Sequence, residues 1–172
     1  FGGEATQGME RFPYNTLNAE NPGISGFGDL YQNINQMNLF ISRTLHTDVL
    51  TESARNYYLG QVYGLRAYYM YQLYRSWGDV VFTEEPSLGF EVGKLAKAAT
   101  PAAEIFEQVK KDIESSLSYF GSDYTIKEKK SLWSKAATLM LKADVYLWSA
   151  HRDGGEGDAR TAKNALVDIQ NN

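Results

Sequence analysis

Residues 60–80 read GQVYGLRAYYMYQLYRSWGDV, and this stretch decides the fold. Gly60 and Gly64 lie four apart, with Ala67 beside them, inside a proline-free run from about Thr51 to Trp77. A glycine within a helix costs about 1 kcal/mol against alanine, so two on one face predict a close helix–helix crossing. Next to that seam runs the expected core stripe of the helix: Tyr58, Val62, Leu65, Tyr69, Leu73 and Trp77. Seven of the twelve tyrosines fall between Tyr57 and Tyr74, which thickens a core while leaving hydroxyls near its edge. Gly78 suits a left-handed helix end. Val80-Val81-Phe82 then reads as a short extended exit, closed by Pro86.

Working outward, Leu30, Ile34, Met37, Ile41 and Leu45 mark an upstream helix with Asp29 as its expected cap. Downstream, residues 87–99 read as a polar connector. Thr100-Pro101 then reads as N-cap and first helical position, ahead of a face of Ile105, Val109, Ile113, Leu117 and Phe120. A fourth helix is expected from near Ser131, with Leu132, Ala136, Leu139, Ala143, Tyr146 and Ala150 in line. Asp153 to Asp158 reads as a solvated acidic turn, followed by a fifth helix on Ala162, Ala165, Leu166 and Ile169.

The fold class expected is all-α, antiparallel helix hairpins stacked as a tetratricopeptide-like right-handed superhelix. Residues 1–28 form a loop-rich segment punctuated by Pro13, Pro22-Gly23, Gly26 and Gly28. Residues 29–77 make a first helix pair, 100–150 a second, and 159–172 the start of a third that lacks its partner. Together 1–172 read as one helical-repeat region. The opening Phe1-Gly2-Gly3 suggests an interior start, hence an excerpt of a longer protein.

Composition narrows the function. Lys plus Arg number 17 and Asp plus Glu 21, a net charge of 17 − 21 = −4, which argues against a general nucleic-acid binder. There is no cysteine, so no disulfide scaffold, thiolate metal site or cysteine nucleophile, and His46 and His151 alone make no imidazole-rich metal site. No apolar run is long enough to cross a membrane. No phosphate loop, nucleophile elbow or zinc helix is present, and the adjacent Glu84-Glu85 is no positioned acid–base pair, so no enzyme activity and no cofactor are expected.

Residues 60–80 resemble the most recognisable segment of the SusD/RagB family: Leu65-Arg66-Ala67, then aromatics, Leu73, and Gly78-Asp79-Val80. Phe27, Tyr31, Ile34 and Asn38 resemble the family's pattern on its first long helix. Ile105-Phe106 through Asp112-Ile113, and Lys135-Ala136-Ala137 through Leu147, are similar to the two helices that follow. Gln61 stands where the family usually has Glu, Val81 where it has Pro, and Phe27 where Trp is common. The resemblance implies an outer-surface lipoprotein that binds glycans or other nutrients. It further implies partnership with a TonB-dependent (SusC-like) transporter, with the membrane reached only through a lipid anchor this chain does not contain.

Sugar binding needs exposed aromatic faces for pyranose C–H surfaces and planar amides or carboxylates for hydroxyls, set on loops over a rigid scaffold. Candidates are Tyr14, Asn15, Asn18 and Asn21 of the opening loop, with Phe27 and Trp77. Two roles stay open for the rings, since aromatics also pack loops onto a core and close helix ends. Arg66 reads as a buried structural arginine with Asp144 as a candidate partner. The rival reading is a general helical-repeat scaffold that binds protein and no glycan; a helical glycan-processing enzyme is a more distant third.

Overall fold

The structure is a computed structural model and describes residues 27–89 and 96–172. Among these residues five α-helices run α1 Gly28–Leu45, α2 Glu52–Trp77, α3 Ala102–Phe120, α4 Lys135–Ser149 and α5 Gly155–Asn171. A short 3₁₀ turn, Glu128–Lys130, precedes α4, and a π-helical turn, Ala150–Gly154, joins α4 to α5. The β-type pairing among the described residues is a single antiparallel bridge between Val80 and Thr100. The architecture is all-α, as expected.

Helix α2 lies at the centre. Its Ala67, Met70, Tyr71 and Leu73 are fully buried against Ile105, Val109 and Ile113 of α3 and Val145 of α4. The expected stripe of α2 is corrected: Tyr58 is 42% exposed, while Val62, Leu65, Tyr69 and Trp77 are only half-buried. The buried side instead carries Leu59, Gly60, Gly64, Ala67, Met70 and Tyr74. Because α1, α3 and α4 all pack on α2, apolar residues surround it and no single stripe defines its inner face.

The glycine seam is real. A Cβ added at Gly60 would sit 2.9 Å from the Phe120 ring, and one at Gly64 would land on Trp133 Nε1 and 2.9 Å from Thr138 Oγ1. Buried hydroxyls seal the crossing: Ser116 donates to the Gly60 carbonyl at 2.6 Å and lies 2.8 Å from Thr138, which accepts from Trp133 Nε1 at 2.8 Å.

Several boundaries move from their expected places. α1 begins at Gly28 with Asp29 in its first turn, and no side chain bonds its N-cap position. α4 begins after Ser134, whose hydroxyl accepts from Ala137 N at 3.3 Å, so Ser131 and Leu132 precede it. The acidic glycine stretch 153–158 is the end of the π turn and the opening of α5, with Gly155 at φ +54°. His46 caps the end of α1, its Nδ1 lying 2.7 Å from Ser42 O.

α5 does have a partner, since Ala162 and Ala165 are buried against Leu139 and Ala143 of α4. The most extensive contacts are α2 with α3 and α4 with α5. α1 also packs on α2 and α3 on α4, so each helix of the series contacts the next.

Candidate functional site

The expected site residues that the structure describes, Phe27 and Trp77, meet at one end of the bundle. The Phe27 ring is 46% exposed and packs edge-on against Tyr31 (centroids 5.5 Å apart) and Trp77 (5.7 Å). Tyr14, Asn15, Asn18 and Asn21 lie outside the described residues. Such T-shaped pairs hold their rings in defined orientations, and a half-exposed ring held this way offers an apolar platform to solvent.

What fixes the platform is the chain that leaves α2. Gly78 takes φ +74°, which an L side chain adopts only with strain, and turns the backbone away from α2. The Asp79 carboxylate then accepts from Ala102 N at 2.8 Å, capping α3 from across the connector. This corrects the local cap: Pro101 occupies the N-cap position with no side-chain bond, and Thr100 precedes it. Val80 exchanges two backbone hydrogen bonds with Thr100, at 3.2 and 2.9 Å, so residues 81–99 leave and return at one point.

A polar line along α1, Tyr31, Asn35 and Asn38, clasps the first part of that segment. Tyr31 donates to Val81 O at 2.8 Å and Asn38 Nδ2 to Thr83 O at 2.6 Å. Asn35 makes two bonds to Ser87, accepting from its N at 2.7 Å and donating to its O at 3.2 Å. Burial raises the Tyr31 phenol above its ordinary pKa, against the opposing pull of the Val81 bond. Tyr31 thus joins the platform to the clasp. Sequence reasoning singled out Tyr31 and Asn38 only as part of a family pattern and did not foresee the clasp; the i, i+4, i+7 spacing of the three on one helix was the available signal.

Beneath the clasp is a buried ion pair. Arg66 donates from Nε and NH2 to the two oxygens of Asp112, both at 2.7 Å, and from NH1 to Asn38 Oδ1 at 2.8 Å. Arg66 and Asp112 are 2% and 1% exposed, so only a complete set of partners makes their burial tolerable. Burial pulls the Arg66 pKa down, but the bond and charge of Asp112 outweigh it and raise the guanidinium above its ordinary value. Asp144 is not the partner; it lies on the surface, 3.6 Å from Arg75. Glu84 joins the network's edge, bonded by Lys111 and Gln108 at 3.2 Å each.

The arrangement offers stacking surfaces on a rigid base, with its nearest carboxylates engaged in holding structure. No group of His, Asp or Glu among the described residues could hold a metal ion, and no described helix is long and apolar enough to cross a membrane.

Comparison with known proteins agrees with this scaffold. The chain belongs to the SusD-like family: the group described as "Starch-binding associating with outer membrane" matches residues 12–147. A SusD superfamily protein of Bacteroides vulgatus is 50% identical in sequence, with a TM-score of 0.87 over 98% of this chain. B. fragilis NanU is 52% identical, with a TM-score of 0.88 over 99% of it. SusD-like protein P38 of Formosa agariphila is 34% identical over 113 residues, 64% of this chain. The chain spans 34% of the length of those two solved relatives and 20% of P38.

Proposed function

We propose that this chain is the amino-terminal helical-repeat part, 1–172, of a surface protein that binds a nutrient glycan without transforming it. The protein would be held to the outer membrane by a lipid anchor and would serve a TonB-dependent (SusC-like) transporter. The observation that carries the reading is the Phe27–Tyr31–Trp77 platform, a half-exposed ring braced by two others. Tyr14, Asn15 and Asn18, which precede Phe27 in the sequence, are assigned to the same site as part of this proposal. Membership of a family described by starch binding and association with the outer membrane supports it.

The test is affinity electrophoresis and calorimetry of the full-length protein against a panel of polysaccharides. Trp77→Ala and Phe27→Ala are expected to weaken the bound glycan about tenfold each, the equivalent of one lost stacking contact. Retention of the wild type by no glycan in the panel, with capture of the transporter intact, would favour the protein-only scaffold. Release of shortened products would establish an enzyme.

A further inference from the structure

Near the end of α2 is a cleft of about 400 Å³ between the start of α3, the end of α4 and the start of α5. Its apolar walls are Tyr74, Phe106 and Trp148. The Tyr74 and Phe106 rings lie 4.9 Å apart, and Arg75 covers one face of the Trp148 indole at 5.0 Å. Ala102 and Ala103, short side chains at the head of α3, keep the cleft open.

The π turn Ala150–Gly154 shapes the polar rim. Wide turns of this kind are rare and frequently accompany functional sites. This one turns Arg152 back over the cleft, where its guanidinium donates to the Tyr74 hydroxyl. A Cβ at Gly154 would fall on the Asp158 carboxylate, which lies across the turn and lines the cleft. Lys110 is already committed, bonded to Glu107 at 3.0 Å and resting 4.8 Å over the Phe106 ring.

We propose that this cleft is a second saccharide subsite, which takes one neutral pyranose ring of a chain whose other end rests on Phe27 and Trp77. The inference rests on the glycan reading above. Tyr74 stands one helical turn before Trp77 on α2, so the two sites share one end of the bundle. The half-buried Trp148 indole supplies the surface for the sugar's C–H face, and Tyr74 and Phe106, each only 9% exposed, form the floor beneath it. Arg152 and Asp158 supply a donor and an acceptor for its hydroxyls, as charge-assisted hydrogen bonds. The rim holds two cations, Lys110 and Arg152, against the carboxylates of Glu107, Asp153 and Asp158, a balance that selects against a ligand bearing its own carboxylate or sulfate.

The test follows the indole N–H resonances of the full-length protein, those of Trp77 and Trp148 being assigned with Trp77→Phe and Trp148→Phe. The probes are neutral malto-, laminari-, xylo- and manno-oligosaccharides from dimer to hexamer. At least one series is expected to move both resonances as hexamer and only the Trp77 resonance as dimer. In that series Arg152→Met and Asp158→Asn, both surface changes, should weaken the hexamer about tenfold and leave the dimer unchanged. Circular dichroism and an unaltered Tm confirm that the variants fold. A Trp148 resonance that stays still while Trp77 responds overturns the cleft and leaves the platform standing. Movement of Trp148 alone does the reverse, and silence of both across all series overturns both. Unchanged hexamer affinity in the two rim variants also overturns the cleft.

Discussion

Arg66 and Asp112 stand 46 positions apart and meet in a two-pronged ion pair, both bonds 2.7 Å long and both side chains out of contact with water. The pair binds α2 to α3 and, through Asn38, binds both to α1. Removing one partner strands a buried charge, so Arg66→Met or Asp112→Leu alone should cost about 3–5 kcal/mol in urea unfolding. The double variant should cost less than either single change. A double variant as damaging as the sum of the two would mean that the charges are not paired in solution.

The glycine seam gives a prediction of opposite signs. Gly64→Ala gains helix propensity but drives a methyl into Trp133 and Thr138, and should lower stability by about 1–3 kcal/mol. Gly60→Ala brings a methyl to 2.9–3.1 Å from the Phe120 ring, a milder clash than the one at Gly64, and should cost less. Gly157→Ala, in α5 with nothing within 4 Å, should stabilise by about 0.5–1 kcal/mol. Thermal unfolding of the three ranks them directly.

Asp79 is the cap of α3, although 23 residues separate it from Ala102. Asp79→Ala should therefore cost about 1 kcal/mol, and Asp79→Asn, which keeps an acceptor, much less. Thr100→Val should be nearly neutral in the same denaturation experiment, because the threonine side chain makes no cap.

Tyr71 should titrate late. Burial, with a smaller push from the Asp144 charge, lifts its phenol from 10.0 to about 12. The folded chain keeps that proton over a window in which the unfolded chain loses it. Its contribution is fully present below pH 10 and disappears as pH rises toward about 12, a loss of about 3 kcal/mol. Phenolate absorbance should show a late component that Tyr71→Phe removes, and the same variant should flatten the alkaline decline in stability.

The residues explain why some of this could be read from the sequence and some could not. Gly60 and Gly64 announce themselves, because a helix tolerates two glycines only where a neighbour presses close. The helix count and the apolar face of α3 were likewise legible from the spacing of Ile105, Val109 and Ile113. The inner side of α2 was not: with tyrosines all round it, the line from Tyr58 to Trp77 is as regular as the one that is buried. The partner of Arg66 depends on which side of α2 meets α3, and Asp144 and Asp112 are equally plausible until that is known. Asp79 acts on a residue brought near only by the Val80–Thr100 bridge. Of the candidate site, the proposed pair Phe27 and Trp77 was suggested by residue type and place, but the π turn that brings Arg152 over Tyr74 leaves no local signature.

The two hydrogen bonds between Val80 and Thr100 carry an evolutionary implication. A span whose two feet stand on the same spot can change length at little cost to the frame, provided the α1 clasp on Val81, Thr83 and Ser87 and the α3 bonds to Glu84 are kept. Doubling such a span adds only about 0.6 kcal/mol of closure entropy. Descendants of this chain could thus lengthen or shorten what lies between those feet while inheriting the frame intact.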